Sequence, residues 1–428
     1  MFEENWQKTV VEVKRCLLRS VYYTQVLIKW LLISVGIGLF VGSISSVFGH
    51  ALAWANGFRN ENPLIILMLP FAGMIIVFLY HVSKNTNDRG TNMVISSIHS
   101  STKIPFKMAP LIFISTVLTH LCGGSAGREG AAIQLGGSIA NRLGQIFKLN
   151  ENNQRIIIMC GMSAGFSALF GTPMAAAIFA LEVISIGIMH YSALVPCVTS
   201  AMIAHYVANY FKVKPESFAV GVIPPMDPVS FFKMIIFAGL IGGVSVLFCI
   251  ILHGTESIYK KLFKSPYARI FAAGCLVILL TIVVGNTSYL GSGMEIIERI
   301  FHEGSTPNHT FLLKIIFTAL TLGAGFKGGE IVPSFCIGAA FGCVVASWFG
   351  LPITLVAACG MIGVFCGVTN CPITSLLISF ELFGFEGMPY YLVTVAVSYM
   401  LSGYYGLYHS QKIMYSKTET NFVNTAAH

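Results

Sequence analysis

Two stretches of this chain, CGMSAGFSALFGTPMAAAIFALE at residues 160–182 and CGMIGVFCGVTNCPITSLLISFE at 359–381, share a pattern that decides the fold. Cys160-Gly161-Met162 is followed by Pro173 and Glu182, and Cys359-Gly360-Met361 by Pro372 and Glu381, at 13 and 22 residues from the cysteine in both copies. The copies lie 199 residues apart. A second matched pair sits just upstream of each. Gly127-Arg128-Glu129-Gly130 precedes Gln134-Leu135-Gly136, and Gly325-Phe326-Lys327-Gly328-Gly329-Glu330 precedes Cys336-Ile337-Gly338. Chance likeness among apolar segments does not keep a proline and a glutamate at matched spacing. Duplicated halves with interrupted helices mark secondary transporters.

The solvent for most of the surface is lipid. Of 428 residues 55% are hydrophobic and 10% charged, against roughly a quarter charged in an ordinary soluble domain, and the mean hydropathy is +0.75. This predicts an all-α polytopic membrane protein. Apolar runs over 24–54, 63–82, 108–122, 131–146, 155–170, 173–190, 193–211, 229–253, 267–285, 311–323, 331–349, 352–367, 372–384 and 389–407 are cut by glycine and proline, and a polar break covers 83–107. Several runs fall short of the ~20 residues of a straight crossing, so broken helices are expected, buried in protein or lining a cavity. The expected organisation is an interfacial helix over 1–22, a first membrane repeat over 23–212, a second over 213–411, and a short cytoplasmic tail over 412–428.

The net charge of +8 is clustered. Lys8, Lys14, Arg15 and Arg19 lie near the N-terminus, Lys84, Arg89, Lys103 and Lys107 flank the polar break, and Lys260, Lys261, Lys264 and Arg269 share one loop. Basic loops beside apolar runs face the cytoplasm and anionic lipid, and no basic run is interleaved with aromatics as nucleic-acid binding would need. The N-terminus, polar and without a cleavage site, is expected to stay in the cytoplasm. The eleven cysteines form no CxxC pair and mostly sit in apolar runs, as small core residues. An embedded enzyme finds no support: no HExxH, Walker A loop or nucleophile elbow occurs, and His302-Glu303 lacks a second histidine at the needed spacing. No catalytic or metal-ligating set is expected.

The chemistry is expected where helices begin. Gly127-Arg128-Glu129-Gly130 opens an apolar run at Ala131, and glycines there leave backbone N–H groups and a helix dipole free to attract an anion without a full cation. Glu129 at that end can mimic the anion, compete with it, and leave on protonation, which would couple the two ions. Ionisable groups amid apolar helices are functional by default. The second copy, Gly328-Gly329-Glu330-Ile331-Val332-Pro333, offers the same start, with Pro333 where a missing N–H costs little. Glu330 there can carry protons, coordinate a cation such as a structural Na⁺, or simply complement the helix dipole. Thr91 and Asn92 before Met93 can cap a helix and offer a hydroxyl or amide. A tyrosine hydroxyl from the closing Gly403–Tyr408 segment can donate to an anion in a dry site. Glu182 and Glu381 read as structural, capping neighbouring backbone, and His120 and His205 as satisfied core residues.

On these residues the chain, over about 25–412, resembles the CLC family of anion transporters. Gly127-Arg128-Glu129-Gly130 is similar to the family's GREG motif, with Glu129 at the external gating glutamate. Gly90-Thr91-Asn92-Met93-Val94 falls on GSGIP, with Thr91 at the serine. Gly329-Glu330-Ile331-Val332-Pro333 falls on GxFxP, and Tyr408 on the central anion-binding tyrosine. The resemblance implies the CLC-type fold of two inverted helical repeats with broken, tilted helices, a homodimer in the cell membrane with one pore per subunit, and both termini cytoplasmic. It implies an anion path built from Thr91, Asn92, Met93, Gly127, Arg128, Gly130, Ile331, Val332 and Tyr408, with Glu129 and Glu330 for gating and proton transfer. The departures sharpen this. Ala131 replaces the proline after GREG, Glu330 enters the third motif, and Val183 stands at the internal proton glutamate of chloride/proton exchangers. The last two resemble the fluoride-exporting branch, although that branch often has methionine at the Thr91 position and threonine at Val332; Met93 lies two residues on. The expected function is fluoride export in exchange for protons, with a chloride-selective exchanger or channel as the alternative.

Overall fold

The computed structural model describes residues 2–85, 89–100 and 104–428, with side chains from Glu12 onward. Met1, Lys103 with the rest of 86–88 and 101–103, and the side chain of Lys8 lie outside the described residues. Sixteen α-helices account for most of the described chain. Eight precede residue 212: α1 (Phe2–Glu61), α2 (Leu69–Val82), α3 (Thr91–Ser100), α4 (Met108–Leu121), α5 (Glu129–Ile146), α6 (Glu151–Phe170), α7 (Pro173–Glu182) and α8 (Leu194–Tyr210). Eight follow: α9 (Pro228–Leu262), α10 (Pro266–Val284), α11 (Met294–Glu303), α12 (Thr310–Ala324), α13 (Ile331–Phe349), α14 (Ile353–Thr369), α15 (Pro372–Phe383) and α16 (Met388–Leu401). Among the described residues, six helical segments are long and apolar enough to cross a membrane, and the shorter apolar helices lie among them.

Packing repeats with the count of eight. The pairs α5–α6, α1–α8, α6–α8 and α1–α6 recur as α13–α14, α9–α16, α14–α16 and α9–α14. The halves meet through α2–α10, α7–α15 and α5–α13. At the centre, Ile157–Phe170 of α6 and Leu355–Thr369 of α14 are buried on every side. Glycine permits the tightest contacts. A Cβ on Gly136 or Gly161 would strike the other's carbonyl oxygen, and the same holds for Gly338 and Gly360, so α5 against α6 and α13 against α14 pack backbone to backbone.

The breaks come from local chemistry. Gly171 ends α6 in the left-handed region (φ 81°) and Pro173 opens α7; Asn370 ends α14 there (φ 58°) and Pro372 opens α15. A left-handed residue stops one helix and a proline starts the next. The first N–H groups of α7 and α15 lack partners within their own helices. Each set is met by a glutamate of the other half. Glu182 accepts from the N–H groups of Ile373 (3.0 Å) and Thr374 (2.8 Å) and from the Thr374 hydroxyl (2.6 Å). Glu381 accepts from the N–H groups of Met174 (2.9 Å) and Ala175 (2.9 Å). The capping role expected for both glutamates is therefore realised reciprocally, between antiparallel α7 and α15.

One expectation is corrected. No separate helix ends at residue 22: Val21-Tyr22-Tyr23-Thr24 carries neither glycine nor proline, so α1 runs unbroken through the expected boundary. The segment 412–428, expected as a short tail, carries secondary structure of its own. Its strands β2 (Lys412–Tyr415) and β3 (Phe422–Ala426) pair with each other, and β2 pairs in parallel with β1 (Ser185–Ile186), the two residues that break the 173–190 run after α7. Lys417 of this segment donates to Asn370 Oδ1 (2.5 Å) and Tyr399 O (3.0 Å), which fastens it to the ends of α14 and α16. The cysteines form no disulfide, and nine of eleven are buried.

Glu381→Ala strips two helix-end acceptors and is expected to destabilise the purified protein by about 1–2 kcal/mol. Glu182→Ala loses a third bond and falls further. Thermal unfolding in detergent reads both; unchanged melting of the two variants would remove the reciprocal caps from the account of stability.

Candidate functional site

The two motif loops touch. Gly127 N donates to Gly329 O at 2.6 Å and Gly329 N to Gly127 O at 2.7 Å, an antiparallel bridge between the halves. It brings the N-termini of α5 and α13 together, and with them Glu129 and Glu330. Glu129 is fully buried. Its carboxylate folds back on its own helix end, accepting from Arg128 N–H at 3.2 Å and Arg128 Nε at 3.3 Å. Glu330 is half-buried, and its Oε2 is buried without a hydrogen-bond partner. A Cβ on Gly130 would sit 2.9 Å from Gly329 Cα, 3.3 Å from Glu330 Oε2 and 3.6 Å from Thr91 Oγ1. The glycines thus allow the second carboxylate to lie against the first motif's backbone. Ile331 and Val332, fully buried, place the first N–H groups of α13 here, and Pro333 has none to place.

A cavity of about 1210 Å³ opens onto this junction. Thr91, Asn92, Gln134, Glu330 and Tyr408 are on its wall. Tyr408 is buried to 1% exposure, and its hydroxyl, like Gln134 Oε1 and Glu330 Oε2, has no partner. Three orphan polar atoms on one cavity wall are unusual for a native interior and suit an exchangeable occupant. Thr91 Oγ1 accepts from Gln134 Nε2 at 3.2 Å. Asn92 does not cap its helix; its Oδ1 accepts from Ser410 N at 2.9 Å and so braces the segment that carries Tyr408. Met93 does not line the cavity. It packs against the apolar core, and Thr91 is the one of the two on the cavity wall. Arg89, Arg269 and Lys327, beside a Lys260–Glu256 ion pair, make this wall basic on balance.

On the other side of Glu129 lies a second cavity of about 620 Å³, reached by Arg128 but not by Glu129. Arg128 Nη2 pairs with Glu216, in the loop between α8 and α9, and donates to Leu169 O at 3.3 Å. Burial pushes the Glu216 carboxyl up; the Arg128 charge opposes this and Glu298 reinforces it. Glu129, on the wall of neither cavity, lies between them, with Tyr408 and Glu330 on the first wall and Arg128 on the second.

Three participants escaped the sequence reading. Gln134 was noticed only as a repeat marker. Lys314, fully buried, donates to Ser125 Oγ (3.0 Å), Tyr289 O (3.1 Å) and Gly291 O (2.8 Å), anchoring the strand of chain just before Gly127; a lysine inside the run 311–323 was the available signal. Glu216 stands in a polar loop and gave no signal. His120 approaches Gly127 O at 3.3 Å, but its Nδ1 has no partner, and His205 meets Asn209 at 2.9 Å. Among the described residues, no cluster of three or more His, Cys, Asp or Glu could hold a metal.

Comparison with known proteins agrees with this architecture. A family model described as voltage gated chloride channel matches residues 72–403. A chloride/fluoride channel protein of Pseudomonas syringae pv. tomato is 37% identical over 397 residues, 91% of this chain and 87% of that one. An H(+)/Cl(-) exchange transporter, ClcA of Vibrio cholerae, is 26% identical over 297 residues, 65% of this chain and 62% of the other. The crystal structure of a CLC-type fluoride/proton antiporter superposes with a TM-score of 0.87 at 36% identity, covering 90% of this chain and 98% of that one.

A Cβ at Gly329 would come within 2.6 Å of Gly130 N. Gly329→Ala is expected to force the motif loops apart at a cost of about 1–3 kcal/mol and to lower ion flux. A variant that melts and transports as the parent does would show that the bridge is dispensable.

Proposed function

This chain belongs to the voltage-gated chloride channel (CLC) family, and on that premise we propose that it is a secondary transporter that exports fluoride across the membrane in exchange for protons. One observation carries the choice of fluoride: a second carboxyl, Glu330, shares a cavity wall with the Tyr408 hydroxyl, both without protein partners. Fluoride holds its water tightly, so a site that strips it must return strong donors. A protonated carboxyl and a phenol are such donors, and the N–H groups of Ile331 and Val332 add the helix-end field. The relatives named above support the same reading, one by its fluoride/proton exchange and one by its chloride/fluoride name.

The cycle follows from Glu129. As a carboxylate at the N-terminus of α5 it stands where the anion would stand and blocks the path between the cavities. Protonation removes the charge that the helix end and Arg128 hold, the side chain withdraws, and the anion takes its place beside Gly127 and Gly130. Return of the carboxylate expels the anion and releases the proton to the opposite side. Glu330 and Tyr408 hold fluoride on the other face of the plug. A sodium ion beside Glu330 would find Glu330 Oε2 and Gln134 Oε1 as free acceptors. Two oxygens leave most of its shell to water.

The larger, basic cavity faces the cytoplasm in this reading, because Arg89, Lys260, Arg269 and Lys327 follow the positive-inside bias. The C-terminus lies on that side in this reading, since His409 and Ser410 of the same cavity wall precede the tail; so does the start of α1, whose later part, Gly49, His50 and Ala53, borders the second cavity. The protein works in the cell membrane as a homodimer, as in the family it resembles.

Proteoliposomes loaded with fluoride or chloride, with pH recorded alongside, test the reading. Fluoride release accompanied by proton uptake is expected, with both abolished in Glu129→Gln and the fluoride-over-chloride preference reduced about tenfold or more in Glu330→Gln. Chloride release at an equal or greater rate would move the protein to the chloride-selective alternative, and a reversal potential that ignores a pH gradient would make it a channel.

A further inference from the structure

Arg128 is shared. Its Nε donates to Glu129 Oε1 at 3.3 Å, while its Nη2 is taken by Glu216 Oε1. One guanidinium thus serves two carboxylates, one at the end of α5 and one in the loop over 211–227. That loop is held in place. Glu216 N donates to Phe170 O at 3.3 Å and Phe218 N to Leu382 O at 3.0 Å. The side chains of Arg128 and Glu216 are 20% and 16% exposed, so the pair forms the floor of the second cavity above a fully buried Glu129. The other charged or titratable groups facing this floor are Lys212 and Lys214 of the loop, His50 of α1, and Glu298 and His302 of α11.

Resting on the transport reading, we propose that Glu216 is a positioning residue that divides the grip of Arg128 and so sets the proton concentration at which Glu129 is released. With Glu216 in place, only one arm of Arg128 reaches Glu129. When a proton passes from the second cavity to the Glu129 carboxylate, Arg128 keeps Glu216 as counter-charge and stays against the cavity wall. Without Glu216, Nη2 keeps only the long 3.3 Å bond to Leu169 O and can turn to Glu129. A two-point guanidinium–carboxylate pair is then available, the charged form of Glu129 is favoured, and a higher proton concentration is needed to free it.

Fluoride flux in proteoliposomes, measured against pH on the second-cavity side, tests this. In Glu216→Gln the acid limb is expected to move down by about one pH unit, a tenfold change in proton concentration, with the maximal rate within about threefold of the parent. Glu216→Asp keeps the charge one methylene shorter and is expected to move about half as far, roughly threefold in proton concentration. Glu298→Gln removes an equal charge from the same cavity without touching Arg128 and is expected to move the limb less than Glu216→Asp does. An unmoved limb with a uniform loss of rate makes Glu216 merely structural and overturns the proposal. So does an equal shift in Glu298→Gln, which would assign the effect to the general field. Should Glu216→Gln not yield folded protein, an unmoved limb in Glu216→Asp is decisive on its own. A parent protein with no proton-linked fluoride flux would instead refute the transport reading beneath it.

Discussion

A helix that ends at membrane depth exposes backbone N–H groups that lipid cannot satisfy, and the whole molecule is arranged around that constraint. The chain meets it in two ways. At α7 and α15 the acceptor is a glutamate from the opposite half, held by two or three hydrogen bonds. At α5 the acceptor is the helix's own first residue, Glu129, held by long bonds to its neighbour Arg128. The first kind of cap is a fastening. The second is a weaker one, because only the helix end and one guanidinium hold it, and a proton would weaken both attractions. Structural and functional glutamates differ here in what surrounds the carboxylate, not in the group they cap.

The duplicated halves share a backbone plan but diverge at the motif loops. The first motif loop carries Arg128 and opens toward the smaller cavity; the second carries Glu330 and Pro333 and opens toward the larger one with Tyr408. The Gly127–Gly329 bridge lets these unlike loops meet within hydrogen-bonding distance, so that two helix dipoles point at one small volume. A symmetric scaffold thereby holds an asymmetric site, with a carboxylate folded onto its own helix end on one side and unpartnered polar atoms on the other.

Much of this was legible in the residues. The matched spacing of Pro173 with Glu182 and Pro372 with Glu381 located the helix breaks and the caps, because proline and a buried carboxylate have few other uses in lipid. The motif loops announced the site through glycines next to an acid. What stayed hidden had physical reasons. Whether Thr91 or Met93 faces the path depends on the rotation of α3, which a ten-residue helix does not reveal in its pattern. The union of 1–22 with the following helix was missed because polarity changes there while helix propensity does not. The docking of the tail depends on Lys417 reaching the Tyr399 carbonyl and the Ser402 hydroxyl, 18 and 15 residues away, and the pairing of Arg128 with Glu216 spans 88 residues.

The exchanged caps also bear on ancestry. Glu182 meets Ile373 and Thr374, Glu381 meets Met174 and Ala175, and one 199-residue offset carries each of these positions onto its counterpart. A contact in which i touches j while j's equivalent touches i's equivalent is what a two-fold axis imposes on identical subunits. Two copies of a half-length chain, inserted in opposite orientations, would form it without any further adaptation. The present polypeptide is then a covalently joined pair whose members have been free to drift. Thr374 adds a hydroxyl to its cap where Ala175 has only a methyl, a difference that one shared sequence could never have kept.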